Sequence, residues 1–246
     1  MYPEICKIGP FTIYSYGLML VSAFMVGLAL VSIQAKRKNI IPDKIFNFAF
    51  IVFVSGIIGA RIFYIIENLG HYLKSPLEII MLQHGGLSLF GGLILGAGAG
   101  ILYLKSNKVS VYKVLDLVSP FVALAQAIGR VGCLLNGCCF GKVSEFGVYF
   151  PVLQSIRIPT QIYSSLILIL IFIILRLLQE RPYRDGQIFF TYLFLYATKR
   201  FFMEFWRADH EVIFLGLSLF QIISIIIFCL ALVKLIQIRK SSNRND

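Results

Sequence analysis

Several arginines of this chain lie inside or at the ends of apolar stretches. Arg130 follows an uncharged run from Leu117 to Gly129, and Arg61 and Arg200 also lie within apolar runs. A cation in such a position is costly to dehydrate, so it usually has an anionic partner or a functional task. A guanidinium group stays charged and can bind two oxygens of one phosphate or carboxylate group, so these residues predict an anion site.

The spacing of the charges near Arg200 indicates that they interact. Glu204 is four residues after Arg200 and Arg207 three further on, so on a helix all three share one face and can pair. One explanation is purely structural, in which Glu204 neutralises an arginine inside a helix bundle. With Arg130 included, however, three arginines face one glutamate, and the surplus positive charge favours a phosphate or carboxylate ligand.

The segment from Gly129 to Gly141 is interpreted as an anion-binding elbow, in which an apolar helix reaches Arg130 and is followed by a glycine-rich turn. Its glycines allow a tight turn and a close approach to a ligand, and Asn136 can donate and accept hydrogen bonds. Its four glycines are Gly129, Gly132, Gly137 and Gly141.

The same segment contains three cysteines, Cys133, Cys138 and Cys139. A disulfide from Cys133 to either of the others would staple the elbow in an oxidising compartment, but the pairing cannot be read from the sequence. We expect no metal, because zinc prefers four ligands and neither a histidine nor a fourth cysteine lies nearby.

Composition identifies the elements that must position these residues. The chain has 246 residues, of which 58% are hydrophobic and 14% charged, with a mean hydropathy of +0.83; soluble domains are only about 45–50% apolar. We therefore predict an all-α, polytopic membrane bundle, a single integral membrane domain over residues 1–246, with an outer cap at 129–160. The seven predicted spans are 14–34, 44–66, 87–104, 114–128, 161–178, 187–206 and 212–236.

The net charge of +11 does not predict nucleic-acid binding, because the basic residues lie between apolar spans instead of on a folded surface. Of the 23 lysines and arginines, 14 fall in the segments on one side of the predicted membrane. Because cytoplasmic loops carry the excess of basic residues, the N-terminus is predicted outside and the C-terminus in the cytoplasm.

The third predicted span is rich in glycine. From Gly96 to Gly100, small residues predict close packing against another helix. The glycine pairs at 85–86 and 91–92 favour a broken or re-entrant segment that lines a cavity.

Taken together, these motifs resemble the prolipoprotein diacylglyceryl transferase family over nearly the whole chain. The matching residues are Tyr16-Gly-Leu-Met19, Gly59-Ala-Arg61 with Tyr64, the glycine pairs at 85–86 and 91–92, Gly129-Arg-x-Gly132 with Asn136-Gly137 and Gly141, Pro159-Thr-Gln-x-Tyr163, Gly186-Gln187, and Tyr196 with Arg200, Glu204 and Arg207. The seven-span layout of that family, with its N-terminus outside, agrees with the charge distribution.

The resemblance implies an enzyme of the bacterial cytoplasmic (inner) membrane that needs no cofactor. It would move a diacylglyceryl group from phosphatidylglycerol to the lipobox cysteine thiol in the signal peptide of a prolipoprotein and release glycerol phosphate. Its partners would be these two substrates and the surrounding membrane lipids. The implied catalytic residues are Arg130 at the headgroup, Arg200 at the leaving phosphate, and Tyr16. The implied substrate-binding residues are Arg130, Asn136, Gly141, Tyr196, Glu204, Arg207 and Arg61.

The chain departs from the family pattern at three positions. Phe90 stands where many members have a histidine that is proposed as a general base, and Cys133 and Cys138 replace residues common in the signature. We expect the base to be dispensable, because the attacking cysteine can lose its proton to water or have its pKa lowered by nearby arginines. Two alternatives remain open, a lipid-dependent transferase with another acceptor and an anion transporter.

Overall fold

The computed structural model describes residues 2–8, 11–38, 40–73, 75–79, 85–208, 212–214 and 216–240. Within these ranges the fold is built from α-helices, with short antiparallel hairpins between them. The helices are α1 (Ser15–Arg37), α2 (Pro42–Glu67), α3 (Leu69–Tyr72), α4 (Leu89–Ser106), α5 (Val111–Asn136), α6 (Thr160–Gln179), α7 (Gln187–Glu204) and α8 (Leu219–Lys240). The hairpins are β1 (Glu4–Ile8) with β2 (Phe11–Tyr14), β3 (Val143–Phe150) with β4 (Ser155–Arg157), and β5 (Val212–Phe214) with β6 (Leu217–Ser218).

The all-α membrane fold predicted from composition is confirmed, and the chain is a multi-pass membrane protein. Among the described residues, six helices are long and apolar enough to cross a membrane: α1, α2, α4, α5, α6 and α8. The helix α7 has 18 residues and overlaps the remaining predicted span. It is as long as α4 but contains three charged residues, Lys199, Arg200 and Glu204, within its last six positions.

The prediction that the elbow begins at Gly129 is wrong, because α5 continues to Asn136. Gly132 lies inside this helix, where an added Cβ would be 2.9 Å from the Cβ of Met19 in α1. Its lack of a side chain therefore serves helix packing and not a turn. The chain leaves the helix at Gly137, whose φ of +74° suits glycine.

The chain divides into two compact units, the first formed by residues 1–31 and 115–246. Its core lies between α5, α6 and α7, and the buried residues are Ala123, Ala127, Leu168, Ile171, Leu175, Ile188 and Tyr192. The fully buried carboxylate of Asp116 accepts hydrogen bonds from the backbone N–H groups of Gly186 and Phe189, the latter at 2.8 Å. A carboxylate there satisfies donors at the N-terminus of α7 that have no partner inside the helix.

The second unit comprises residues 32–114 and is held together by α2 and α4. Glycines allow these helices to approach closely: an added Cβ at Gly96 would be 3.2 Å from the carbonyl oxygen of Val52. The predicted packing role of this stretch is confirmed for Gly96 and Gly100, whereas Gly98 has open space at its Cβ position. The cavity-lining prediction is wrong for Gly91 and Gly92, which lie within α4 and pack against Gly59 and Gly56.

Candidate anion-binding site

The predicted cluster of charges on α7 is present. Nη2 of Arg200 lies 3.1 Å from Oε2 of Glu204, and Nε of Arg207 lies 3.8 Å from the same oxygen. Because α7 ends at Glu204, the third charge comes from the following turn and not from the helix itself. The predicted pairing of the three residues is confirmed.

Glu204 is fixed from a second direction as well. Its side chain is 1% exposed, and its Oε1 accepts a hydrogen bond of 3.0 Å from the hydroxyl of Ser218, which precedes α8. The backbone N–H of Ser218 in turn donates to the side-chain oxygen of Gln221. A buried carboxylate with these partners holds the Arg200 guanidinium in one orientation.

Lys199 and Arg130 add two further basic side chains to this cluster. Lys199 is 6% exposed, and its Nζ lies 5.4 Å from the centre of the Tyr196 ring. The positive charges of Arg130, Arg200 and Arg207 all act on this lysine. The sequence drew attention to Lys199 but gave it no role, because a lysine beside an arginine does not reveal which way either side chain points.

Positive charge exceeds negative charge in this cluster. In the described part of the chain, neither Arg130 nor Lys199 forms an ion pair with a carboxylate, and Arg200 pairs with Glu204. Even without Arg207, the basic side chains of Arg130, Lys199 and Arg200 share a single described carboxylate, that of Glu204. Partly buried cations in excess favour an anionic partner, so this arrangement suits a phosphate or carboxylate ligand.

Backbone hydrogen bonds attach the segment after α5 to the end of α7. Gly141 forms an antiparallel bridge with Arg207, and the N–H of Lys142 donates to the carbonyl of Trp206 at 2.9 Å. An added Cβ at Gly141 would lie 2.8 Å from the Trp206 carbonyl oxygen. Gly141, predicted to contact substrate, therefore provides the close backbone approach that holds Arg207 beside the cluster.

The N-terminal turn of α6 fixes the loop that follows α5. The hydroxyl of Thr160 donates to the carbonyl of Cys139, and the side-chain amide of Gln161 donates to the carbonyl of Cys138, both at 2.7 Å. Asn136, predicted to bind substrate, forms a side-chain hydrogen bond with Cys138.

The predicted catalytic tyrosine, Tyr16, lies next to this region. A Cβ added to Gly132 would lie 3.5 Å from the ring of Tyr16, which is van der Waals contact distance. Tyr16 is 42% exposed. The charge of Arg130 acts on it. The structure therefore brings Tyr16, Arg130, Tyr196, Arg200, Glu204 and Arg207 together in the first unit.

Arg61 belongs to the second unit and has a different environment. Its guanidinium is 6% exposed and donates to the carbonyl oxygens of Ile79, Gly85 and Gly86 at 3.0, 2.7 and 3.0 Å, and to that of Glu78. These bonds use the donors that Arg61 would offer to a phosphate. The structure gives Arg61 the role of fastening the segment that precedes α4 onto α2.

The cysteines of the loop gather at one point. The sulfur atoms of Cys133, Cys138 and Cys139 all lie within 4.8 Å of one another, and each is a free thiol. The pKa of the Cys139 thiol is lowered, first by hydrogen bonds with the other two thiols and then by the charges of Arg207 and Arg130.

Comparison with known proteins gives a consistent result. A family model described as prolipoprotein diacylglyceryl transferase matches residues 3–237. Proteins of Streptococcus pyogenes serotype M5 (strain Manfredo) and serotype M49 (strain NZ131) are each 35% identical to this chain over 248 residues, which cover 97% of this chain and 95% of each relative. Both relatives are named phosphatidylglycerol–prolipoprotein diacylglyceryl transferase.

Proposed function

This chain belongs to the prolipoprotein diacylglyceryl transferase family, and we propose that it transfers a diacylglyceryl group from phosphatidylglycerol to a prolipoprotein. It is a transferase of lipoprotein biosynthesis. The acceptor is the lipobox cysteine thiol at the end of the signal peptide, and the second product is glycerol phosphate. The observation that carries this proposal is the grouping of the basic residues Arg130, Lys199 and Arg200 around the single carboxylate of Glu204.

The charge change in the reaction explains why such a surplus is useful. The thiolate sulfur bonds to a glyceryl carbon, the bond from that carbon to a phosphate oxygen breaks, and the thiol proton is released. The phosphate begins as a diester with one negative charge and leaves as a monoester with a second charge developing on the departing oxygen. Fixed cations stabilise this added charge more than the starting charge, and only such a difference accelerates the reaction.

The contacts of each residue indicate its role in the reaction. Arg130, which forms no ion pair with a described carboxylate, binds the lipid phosphate. Arg200, held by Glu204 at 3.1 Å, stabilises the departing oxygen. Lys199 adds a third charge, while Tyr16 and Tyr196 orient the headgroup.

Deprotonation of the acceptor thiol does not need a histidine in this proposal. Phe90 lies in the first turn of α4 and is 41% exposed, and its ring cannot accept a proton. Positive charge close to a thiol favours its thiolate form, and the arginine cluster supplies such charge. Water then accepts the proton.

The membrane placement follows from the charge pattern and the family. We assign the protein to the bacterial cytoplasmic (inner) membrane with the N-terminus outside and the C-terminus in the cytoplasm. The chain acts as a single membrane domain, and the segment between α5 and α6 forms its outer cap. Acyl chains of phosphatidylglycerol would remain among the membrane lipids while its headgroup enters the site.

A transfer assay with defined substrates tests this function. The purified chain is mixed with phosphatidylglycerol and a peptide that carries a lipobox cysteine, and the peptide mass and released glycerol phosphate are measured. We expect the peptide to gain one diacylglyceryl group for each glycerol phosphate released. A peptide with serine in place of that cysteine and a lipid with a zwitterionic headgroup serve as controls.

The two alternatives give different results in the same system. Release of glycerol phosphate without modification of the peptide would indicate another acceptor. Absence of lipid turnover, together with movement of anions across liposomes that contain the chain, would indicate a transporter and contradict the proposal.

A further inference from the structure

The cluster of three cysteines is not used by the transfer reaction. Its sulfur atoms all lie within 4.8 Å of one another. Three sulfurs that surround one metal ion at about 2.3 Å in a plane are about 4 Å apart. The sulfur atoms are therefore close enough for small side-chain movements to bring all three onto one three-coordinate metal ion.

The backbone that carries these cysteines is fixed before any ligand arrives. Cys133 lies in the last turn of α5, and its carbonyl accepts a hydrogen bond of 3.1 Å from the N–H of Cys138. The carbonyls of Cys138 and Cys139 are held by Gln161 and Thr160 from α6, each at 2.7 Å. Gln161 and Thr160 are themselves 1% and 3% exposed, so these supports are buried. A preorganised set of ligands loses little conformational entropy on binding.

The cysteines lie beside charged and polar side chains of the site described above. Arg207 and Arg130 both act on Cys139, and the Asn136 side chain hydrogen-bonds Cys138. Thiolates, not thiols, are the metal ligands, so metal binding here would release the thiol protons.

We propose that Cys133, Cys138 and Cys139 form a binding site for a soft metal ion, with Cu(I) as the preferred occupant. Thiolate ligands select soft ions, and Cu(I) is among those that they bind best. Zinc prefers four ligands in structural sites, and the described residues bring three cysteines and no histidine to this point. The number of ligands therefore favours Cu(I) over zinc. This site revises the expectation from the sequence that the segment holds no metal.

Competition with a coloured Cu(I) chelator tests the site independently of transfer. The purified full chain is reduced with ascorbate and titrated with Cu(I) in the presence of the chelator. We expect one Cu(I) per chain and a loss of affinity of at least about 100-fold in Cys138→Ser, since even outer-sphere changes at metal sites cost 10–100-fold. The matched controls are Cys6→Ser and Cys229→Ser, which remove exposed cysteines elsewhere and leave the affinity unchanged.

X-ray absorption at the copper edge supplies the coordination number. Three sulfur neighbours and no nitrogen or oxygen neighbour would support the site. Two results would overturn it: Cys138→Ser retains wild-type Cu(I) affinity, or Cys229→Ser loses as much Cu(I) affinity as Cys138→Ser does. So would zinc that displaces Cu(I) from the wild-type chain. Thermal unfolding of each variant without metal distinguishes a lost ligand from a lost fold.

Discussion

Arg61 and Arg130 both lie in apolar helices, but the two units of the molecule surround them differently. In the second unit, four backbone carbonyls accept hydrogen bonds from Arg61. In the first unit, Arg130 forms no ion pair with a described carboxylate and lies near the charges of Lys199 and Arg200. One arginine is satisfied by the protein, whereas the other is available to a ligand.

This difference shows that burial and charge alone do not identify a functional arginine. A guanidinium group has five N–H donors, and the number that the protein itself occupies decides how many remain for a substrate. By this criterion, the resemblance-based assignment of Arg61 to substrate binding has less structural support than the assignments of Arg130 and Arg200. Substitutions in both units test this comparison.

The largest effect is expected on the rate of transfer in Arg130→Met. Arg130 binds the phosphate whose charge grows as the diester becomes a monoester, and losing one fixed donor to developing charge costs about 100–1000-fold in rate, so we expect a loss of that size. The folded protein should keep its melting temperature, because Arg130 neutralises no described carboxylate. The control is Arg176→Met, which removes an arginine of α6 that donates to Gln179. Equal rates in the two variants would contradict the assignment.

Replacement of Arg61 should change stability and not chemistry. Arg61→Met removes four hydrogen bonds from a charged donor to backbone carbonyls, each worth about 1.5–3 kcal/mol, so a marked drop in melting temperature is expected. The rate per folded molecule should stay close to that of the wild type. Thermal unfolding and transfer measured on one sample separate the two properties. A stable Arg61→Met protein without activity would show that Arg61 acts on the substrate.

Removing the carboxylate charge in Glu204→Gln should weaken transfer by about 10-fold. The hydroxyl of Ser218 still has an oxygen to bind, but the ion pair that orients Arg200 is lost, at a cost of about 1.4 kcal/mol for each tenfold. Ser218→Ala, which keeps the ion pair, should have a smaller effect. A Glu204→Gln loss as large as that of Arg130→Met would assign Glu204 a direct part in the chemistry.

The smallest effects concern the glycines of α4 in the second unit. An alanine at position 91 would place its Cβ 2.3 Å from the carbonyl oxygen of Gly59, so Gly91→Ala should lower stability by about 1–3 kcal/mol. Gly98 has open space at its Cβ position, and Gly98→Ala should raise stability by roughly 0.5–1 kcal/mol. Melting temperatures that shift in the same direction would contradict the packing role of Gly91.

Local spacing made part of the site predictable. Arg200 and Glu204 are one helical turn apart, so their ion pair follows from the periodicity of α7. The membrane spans likewise follow from the length of the apolar runs. Their ends were less predictable: Gly132 was interpreted as part of a turn, but its contact with Met19 of another helix keeps it helical.

Contacts between distant residues were not readable from the sequence. The acceptors for Arg61 lie 17 to 25 residues away in a segment without regular helical spacing. The bridge between Gly141 and Arg207 joins positions 66 residues apart, and nothing in either motif indicates it. The cysteines, close in sequence, were recognised as a group, but their common point depends on the turn at Gly137 and on α6.

Selective binding of an anionic lipid tests the central claim most directly. Native mass spectrometry of the detergent-purified chain, given equal amounts of phosphatidylglycerol and phosphatidylethanolamine, measures which lipid stays bound. We predict that the wild type and Arg176→Met retain phosphatidylglycerol in preference, and that Arg130→Met loses this preference while remaining folded. Unchanged preference in Arg130→Met would contradict the claim that the surplus cations of the first unit hold the lipid phosphate.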